Sequence, residues 1–442
     1  MKTKWTFKTA VVVLIAVCLV FTAGFHYPDV AASGLKKHRL ISSLQMFPQR
    51  LQSLITGEAA EQSKALPLIE TYSRAIELLK SEYYGAEVDE QELTYDAIRG
   101  MLTALGDPFT RFMDPEAYDK MREENEGHFS GIGAQLDTNK NGEIYIKEPL
   151  PDAPAIRAGV KANDVIIAVD DKPIANMDIE NVVELIRGEI GTKVKLTFKR
   201  PGVTKPVDIV ITRQQVEFIM VKSEMLDKKH KIGYVRLYQF NEQSDAQFDK
   251  ALTTLEQQGM KGLILDLRGN PGGLLPMAID IASRFIEDGV VVSIQERGGR
   301  KADLKVKQSQ HNHKRYPLAV LVDKRSASAS EIVSGAIKEH NAGTLVGVTT
   351  FGKGRVQTIM PMRDGSAVAI TTAKYLTPNG IDIHEKGIEP DVEIEAREDF
   401  DPADKDTDVQ LKKAVEVVKV EMGVLPRAVL NKTAQSAKAK SN

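Results

Sequence analysis

Between Val216 and Ile394, short apolar runs alternate with longer segments whose apolar residues recur at helical spacing. The apolar runs read KIGYVRLYQF, KGLILDLRG, GVVVSIQERGG, YPLAVLVDK and GTLVGVTT, and glycine, proline or charged residues bound them. The segments between them include SDAQFDKALTTLEQQG and LLPMAIDIASRFIEDG. This alternation predicts an α/β domain with a largely buried sheet. Residues 360–375 then predict a hairpin around Asp364-Gly365.

The patterns on either side of this region differ from it. From Leu35 to Glu126 the sequence predicts helices, including Thr71–Tyr84 and Glu92–Leu105, and Gly106-Asp107-Pro108 ends the second. Residues 127–213 instead predict short strands and two helices, in the order GIGAQLD, EIYIKEPL, DAPAIRAGV, DVIIAVDDKPI, ENVVELIRG, KVKLTFKR and PVDIVITR. After Asp401 we expect a helix with one apolar face (Leu411, Val415, Val418 and Met422) and a basic, disordered tail.

The first residues of the chain indicate whether the protein lies inside or outside the cytoplasm. Lys2, Lys4 and Lys8 precede the uncharged run Ala10–Phe25, and Val30-Ala31-Ala32 offers a small-residue cleavage site. The run is long for a signal peptide and short of a full membrane span. A cleaved signal peptide and a retained signal anchor therefore both stay open, and both predict that the body lies outside the cytoplasm. A buried core helix is the remaining alternative.

The amino-acid composition argues against several classes of function and of binding site. The chain has 442 residues, 42% hydrophobic and 27% charged, which fits two or three globular domains. A formal charge of −2 gives no electrostatic argument for nucleic acid binding. The single cysteine, Cys18, excludes an intramolecular disulfide and a cysteine-rich zinc site, and the eight histidines show no HExxH spacing. We therefore expect neither a metal nor a cofactor.

The stretch RSASASEIVSGAIKEH, residues 325–340, places three serines where an apolar strand leads into a helix. Backbone N–H groups in the first turn of a helix are unpaired and the helix dipole is positive there, so an oxyanion formed at this point would be stabilised. The spacing Ser328-x-x-Glu331 is also that of a capping box, which would explain the serine without catalysis.

Two other segments make catalysis more plausible. LDLRGNPGG, residues 265–273, follows a strand with glycines whose amides could provide a second oxyanion donor, although a tight turn would use glycine too. FGKGRVQ places Lys353 between two glycines and Gln357 four residues later, on one face if the chain is extended. A phosphate-binding loop or an exposed turn lysine is the alternative there, but the GxxxxGK[ST] motif is absent.

Residues 127–213 resemble a PDZ domain along their whole length. The resemblance implies that the segment binds free carboxyl termini, adding the peptide as a strand at a sheet edge. Gly131, Ile132 and Gly133 match the carboxylate-binding loop, whose backbone N–H groups converge on the anion. The apolar groove is then expected between the GIGAQL strand and the helix that carries Val182, Val183 and Ile186.

At motif level the chain resembles the carboxy-terminal processing peptidases, also called tail-specific serine proteases. The motifs that carry the resemblance are GMLTALGDPFTRFMDP, LDLRGNPGG, VDKRSASASEI, TFGKGRVQ and TTAKYLTPNGIDIHEKGIEPD, in this order. The resemblance implies an α/β fold with a crotonase/Clp-protease-like peptidase core, an inserted PDZ domain and a helical N-terminal region. The expected division is 1–32 signal peptide or anchor, 33–126 helical region, 127–214 PDZ domain, 215–400 serine peptidase core and 401–442 C-terminal helix and tail.

The resemblance also assigns roles to single residues. Ser328 matches the nucleophile, Lys353 the general base and Gln357 its orienting partner, while Gly273 and the amide of Ala329 match the oxyanion donors. The lysine must lose its proton near neutral pH, and burial away from carboxylates can lower its pKa from about 10.4 far enough. A glutamine suits the partner role because it accepts a hydrogen bond without favouring the ammonium.

These matches imply a serine endopeptidase that cleaves exported or membrane-attached proteins and selects them by their C-terminal tails. The PDZ domain is expected to gate activity, with Arg187 as the candidate contact between the domains; a solvated cation at a helix end is the alternative. We expect a bacterial cell-envelope location, possible anchoring through residues 10–25 and a homodimer. A non-catalytic PDZ scaffold and a crotonase-like acyl-CoA enzyme are the competing function classes.

Overall fold

The computed structural model describes residues 62–85, 87–396 and 407–429. The chain divides into two compact units, residues 1–94 and residues 95–442. The apolar run at 10–25, the cleavage site at 30–32 and the tail beyond residue 429 lie outside the described residues. Among the helices that the structure describes, none is long and apolar enough to cross a membrane.

The first unit contains helix α1, Gln62–Glu82, and the start of helix α2, Glu90–Thr103. Both helices were predicted, but α1 begins nine residues before Thr71 and ends before Tyr83. The ammonium of Lys80 pairs with the Glu90 carboxylate at 2.7 Å, which links the end of α1 to the start of α2. Several apolar side chains of α1, among them Leu68 and Ile69, are exposed.

The second unit continues with both helices and strands. Its further helices are α3 Pro115–Glu126, α4 Pro154–Arg157, α5 Ile179–Ile186, α6 Ser244–Gln257, α7 Leu275–Ser283, α8 Ala329–Glu339 and α9 Val409–Glu421, with a 3₁₀ turn at Gln308–Gln310. Its strands are β1 Arg111–Met113, β2 His128–Gly131, β3 Ala134–Thr138, β4 Ile144–Pro149, β5 Val165–Val169, β6 Lys172–Pro173, β7 Lys193–Lys199, β8 Val207–Thr212, β9 Gln214–Glu217, β10 Val221–Asp227, β11 Ile232–Leu237, β12 Gly262–Asp266, β13 Val290–Glu296, β14 Lys301–Lys305, β15 Leu318–Val322, β16 Thr344–Gly347, β17 Arg355–Pro361, β18 Ala367–Leu376 and β19 Val392–Glu393.

A six-stranded sheet in the order β10-β11-β12-β15-β16-β19 forms the centre of the region that follows the predicted PDZ segment. Its neighbours run parallel except for the antiparallel pair β10/β11. Strands β12 and β15 are buried along their whole length, as the continuous apolar runs predicted. Because parallel strands end at the same edge, β12 and β15 deliver the loops 267–273 and 323–328 to neighbouring positions.

A second sheet of five strands has the order β1-β18-β13-β14, with β17 also paired to β18. The β17–β18 hairpin turns at Asp364-Gly365, as predicted, and its register shifts between Val356 and Gln357. Strand β1 pairs with β18 on the other side and brings the preceding turn, residues 107–110, close to the end of the sheet.

The segment predicted to be a PDZ domain forms its own six-stranded sheet, β3-β4-β5-β7-β8 with β6 on β5. The predicted strand Gly131–Asp137 is in fact two strands, β2 and β3, separated at Ile132-Gly133. Gly133 has φ 70°, and a Cβ atom there would lie 2.4 Å from that of Ala153, so the break requires glycine. Strands β2 and β9, which enter and leave the domain, pair with each other.

Helix α9 packs on the face of the central sheet opposite α7 and α8, through the apolar residues predicted for it. A buried ionic network fixes its start. The Arg268 guanidinium donates to the Asp266 carboxylate at 2.7 Å and to the Asp408 carboxylate at 2.8 Å. Because Arg268 lies two residues after the end of β12, the same network holds the beginning of the loop 267–273.

Candidate active site

Ser328 lies at the N-cap of α8, immediately after the loop that leaves β15. Its backbone angles, φ 54° and ψ −113°, are ones that a residue with a side chain rarely adopts, so the local fold imposes this conformation. The flanking serines are buried and have structural partners: Ser326 Oγ donates to the Leu267 carbonyl at 2.8 Å and Ser330 Oγ to the Asn270 carbonyl at 2.9 Å. Ser328 alone of the three is partly exposed.

The glycine loop after β12 lies directly against Ser328. A Cβ atom on Gly272 would lie 2.7 Å from Ser328 Cβ, and one on Gly273 would lie 2.1 Å from the Phe240 carbonyl oxygen. Both positions therefore require glycine. Among the described residues, neither the Gly273 amide nor the Ala329 amide has a hydrogen-bond acceptor. Two unpaired N–H groups at the nucleophile position are what an oxyanion site needs.

Glu331 connects Ser328 to the loop that carries Lys353. Its buried carboxylate accepts hydrogen bonds from the amides of Ser328 and Lys353, both at 2.9 Å. It also accepts from the Gly352 amide and the Thr350 hydroxyl, both at 2.6 Å. The capping box that the spacing suggested is present through the Glu331 side chain, but the same carboxylate also fixes a loop 19 to 22 residues away.

The Lys353 side chain is half-buried. Burial lowers the pKa of its amine below the usual value, the Arg111 charge lowers this pKa further, and the Glu331 charge opposes both effects. Its Nζ lies 5.1 Å from the centre of the Phe109 ring. Among the described residues, Nζ forms no hydrogen bond with Ser328 or with any other side chain.

Among the described residues, the Gln357 side chain forms no hydrogen bond with the Lys353 amine. Its amide Nε2 donates to Thr371 Oγ1 at 3.3 Å, across the β17–β18 pair. The expectation that both side chains share a strand face depended on an extended chain from Lys353 onward, but β17 begins only at Arg355. The two residues therefore belong to different local structures in this conformation.

Tyr375, at the end of β18, contacts both of the candidate catalytic residues. Its buried hydroxyl donates to the backbone carbonyl of Lys353. Burial raises the pKa of this hydroxyl well above its ordinary value, Glu331 raises the pKa further, and a hydrogen bond with Ser328 acts in the opposite direction. Tyr375 and Glu331 thus hold the Ser328 and Lys353 segments together.

The described residues contain no group of three or more histidine, cysteine, aspartate or glutamate side chains able to hold a metal ion. The groups that surround Ser328 are hydroxyls, amides, one amine and one carboxylate. They can position a nucleophile, accept its proton and bind an oxyanion, which are the elements of acyl transfer.

Comparison with known proteins agrees with this chemistry. Residues 231–394 match the family model of Peptidase family S41, and residues 145–200 match that of the PDZ domain. Carboxy-terminal processing protease CtpB of Bacillus subtilis (strain 168) is 40% identical over 357 residues, which cover 80% of this chain and 73% of the relative. The chain belongs to the carboxy-terminal processing peptidases. It is therefore a serine-type peptidase with a PDZ domain.

Further matches extend along the chain. Residues 36–117 match the model described as the activating protease CtpB N-terminal domain. Carboxy-terminal processing protease CtpA of Bacillus subtilis (strain 168) is 41% identical over 324 residues, covering 73% of this chain and 68% of the relative. A solved structure titled photosystem II D1 C-terminal processing protease has 34% identity and a TM-score of 0.43, and covers 73% of this chain and 86% of that one.

In this peptidase the predicted tail-binding residues fall into two groups. Ile132, Val182 and Ile186 are almost fully buried within the PDZ core, so their side chains present little surface in this structure. Val183 is only partly buried and remains available to a peptide. Helix α5 has apolar residues on more than one side, so its sequence alone did not predict which side packs against the PDZ core.

Arg187 ends the helix α5 of the PDZ domain as its C-cap residue. Its guanidinium donates to the Glu123 carboxylate of α3 at 2.7 Å and lies 5.2 Å from the centre of the Phe129 ring. Arg187 is therefore not simply a solvated cation at a helix end, because it joins the PDZ domain to the helix that precedes it.

Sequence reasoning missed four residues of this site. Glu331 was seen only as a capping residue, and Tyr375, Phe109 and Arg111 were quoted in motifs without a role. The motifs GDPFTRF and TTAKYLTP could have pointed to these residues, since the family resemblance includes both motifs although neither contains a residue to which it assigns a role. Their roles depend on contacts between segments far apart in sequence.

Proposed function

We propose that this peptidase cuts with Ser328 as nucleophile and Lys353 as general base, and that its PDZ domain selects substrates by their C-terminal tails. The observation that carries the catalytic proposal is that Gly272 lies against Ser328, while the amides of the next residues, Gly273 and Ala329, have no acceptor among the described residues. Glu331 and Tyr375 bring the Lys353 loop to the same point.

The reaction follows from this arrangement. Ser328 Oγ attacks the scissile carbonyl carbon while the neutral Lys353 amine takes the hydroxyl proton. The carbonyl oxygen becomes negative and accepts hydrogen bonds from the amides of Gly273 and Ala329, each worth about 3–4 kcal/mol in the transition state. The Lys353 ammonium then gives its proton to the leaving amine, and a water activated by the same amine hydrolyses the acyl-enzyme.

Covalent labelling tests the nucleophile among the three neighbouring serines. We expect a fluorophosphonate probe to add to Ser328 alone, located by tandem mass spectrometry, because Ser326 and Ser330 are buried with hydrogen-bond acceptors. Ser328→Ala and Lys353→Arg should remain unlabelled. An adduct on Ser326 or Ser330 would assign the chemistry elsewhere. Absence of both label and cleavage in the wild type would favour the non-catalytic scaffold.

Tail binding is supported by the loop at Gly131–Gly133. Neither Ile132 nor Gly133 donates its amide to another described residue, so both N–H groups are available to a terminal carboxylate. The adjoining β3 lies near α5, and Val183 is partly exposed on that helix. A peptide added along β3 would meet both features, which is the PDZ mode of recognition.

A gating role is supported by the way the PDZ domain is attached. A cavity of about 580 Å³ separates its loop 150–154 from helix α6, and none of the candidate catalytic residues lines it. The linker beside this cavity is held by Gln247, which accepts from the Met220 amide at 2.8 Å and donates to the Phe218 carbonyl at 2.8 Å. It is also held by the Phe218 amide, which donates to the Gly127 carbonyl at 2.9 Å, and by the Phe218 ring, 4.9 Å from that of Phe129. The cavity leaves space beside these contacts into which the domain would move when they break.

Arg187→Ala should reduce the advantage that a tail gives a substrate. Loss of the Glu123 ion pair and the Phe129 contact removes roughly 1–2 kcal/mol, so the ratio of cleavage rates for tailed and untailed substrate should fall about tenfold. Steady-state cleavage of the same protein with and without its tail measures this ratio. Lys172→Ala, an exposed cation on the same domain, is the matched control. Wild-type rates of Arg187→Ala on both substrates would remove the coupling.

Location and assembly are further parts of the proposal. The lysines and apolar run of residues 2–25 support a body outside the cytoplasm, in a bacterial cell envelope. The exposed apolar side chains of α1, such as Leu68, Ile69 and Leu79, support pairing of two chains. A cytoplasmic location in cell fractions, or a monomer in sedimentation of the full chain, would contradict these two points.

A further inference from the structure

The turn formed by residues 107–110 places an aromatic ring against the Lys353 amine. The Asp107 carboxylate accepts from the Phe109 amide at 3.1 Å and from the Thr110 hydroxyl at 2.6 Å. The Thr110 hydroxyl in turn accepts from the Thr371 amide of β18 at 3.0 Å. These bonds fix the turn on the sheet, so the position of the Phe109 ring is set by the fold.

The ring favours one protonation state of the amine. An ammonium within about 6 Å of an aromatic centre is attracted by the negative face of the ring, whereas a neutral amine has no net charge to attract. Nζ lies 5.1 Å from the centre of the Phe109 ring and has no hydrogen bond to the Ser328 hydroxyl. The contact therefore stabilises a lysine that is charged and not hydrogen-bonded to the nucleophile.

Other ionisable groups also act on this amine. Arg111 of β1 repels the ammonium, and Glu331 of α8 attracts it. The Tyr375 hydroxyl of β18 donates to the Lys353 carbonyl. The imidazole of His384 packs edge-on to the Phe109 ring, with 6.0 Å between ring centres. Among these groups, only the Phe109 ring both attracts the ammonium and contacts it directly.

We propose that Phe109 is a positioning residue that holds the Lys353 ammonium in a resting position, which the amine leaves when it turns to Ser328. The proposal rests on the assignment of Lys353 as general base. It gives the GDPFTRF motif a role in this peptidase: its turn supplies the surface on which the charged base rests between cleavage events.

The test is the pH profile of kcat/KM for Phe109→Leu, which keeps an apolar side chain but removes the aromatic face. Loss of the ring contact should lower the apparent pKa of the rising limb by about half a unit. The rate well below that pKa should then rise about threefold, with KM unchanged. Phe109→Tyr should restore the wild-type profile. Phe351→Leu, at an exposed aromatic residue of the Lys353 loop, should not alter it.

Several outcomes separate this inference from the assignment of the base. Suppose that Lys353→Arg is inactive but Phe109→Leu leaves the apparent pKa of the kcat/KM profile unchanged, with or without a loss of rate. The proposed resting position is then wrong, and the assignment of Lys353 as base stands. If Lys353→Arg retains the rising limb, the base assignment itself fails. Should Phe109→Leu fail to fold, a titration of ¹³C-methylated lysines by NMR, comparing wild type with Phe109→Met, replaces it. Phe109→Met should lower the Lys353 pKa by about half a unit, and an unchanged or raised Lys353 pKa overturns the proposal.

Discussion

Lys353→Arg should lower kcat/KM by on the order of 10⁴-fold or more while the protein stays folded. An arginine keeps the positive charge and similar length, but its guanidinium does not lose a proton at any pH the protein survives. If Lys353 is the base, the Ser328 hydroxyl then has none, whereas the proposed tail-binding site on the PDZ domain is untouched. Steady-state cleavage and a thermal unfolding curve measure the two effects, and we expect the melting temperature to change by no more than about 3 °C.

Lys374→Arg is the matched control, since Lys374 is a nearby lysine of β18 that pairs with Asp382 at 3.0 Å. It should cleave at close to the wild-type rate. If Lys353→Arg kept a tenth or more of the wild-type activity, Lys353 would not be the base.

The pH dependence has a definite sign. The neutral amine is the active form, so wild-type kcat/KM should rise with pH through the Lys353 pKa, which burial and Arg111 hold below its ordinary value. Between that pKa and the ordinary lysine value the unfolded chain binds more protons than the folded one. This group therefore makes the free energy of unfolding increase with pH across that window. The arginine variant should show neither effect from this residue.

The fold was predictable where local patterns decide it. The buried strands β12 and β15 follow from the continuous apolar runs GLILD and LAVLV, and α8 follows from its capping residues and helical spacing. Because both strands are parallel, their ends had to meet, and this places Ser328 beside Gly272. The break at Ile132-Gly133 was missed because an apolar alternation continues across it.

The rest of the site was not predictable from local patterns. Glu331 bonds four donors, of which three come from residues 350–353, and no spacing rule relates the two segments. The separation of Lys353 from Gln357 depends on where β17 begins, and strand ends are poorly determined by sequence. The contact of the Lys353 amine with the Phe109 ring joins residues 244 positions apart, which no local pattern relates.

These contacts also define which residues act as one unit. Glu331 holds the backbone of both Ser328 and Lys353, so one carboxylate fixes the separation of these two backbone segments. In the resting position that we propose, the Lys353 side chain moves between the Phe109 ring and the serine while its backbone stays in place.

Glu331→Gln should consequently both destabilise the protein and inactivate it. The carboxylate accepts four hydrogen bonds through its two oxygens, whereas the amide nitrogen of glutamine accepts none and would face two of the donors. Two buried donors left unsatisfied should reduce the free energy of unfolding by roughly 2–4 kcal/mol. Displacement of Ser328 relative to Lys353 should lower kcat about 10²-fold or more.

One electrostatic effect acts in the opposite direction. Removal of the Glu331 charge lowers the Lys353 pKa and so increases the fraction of neutral base. A shift of one unit would raise the rate at most tenfold, which is smaller than the loss from misplacement, so inactivation should win. Glu339→Gln, the same change at the far end of α8, should leave activity near wild type. Urea unfolding and kcat at saturating substrate measure the two effects, and a Glu331→Gln enzyme with wild-type kcat would show that the shared carboxylate does not position the pair.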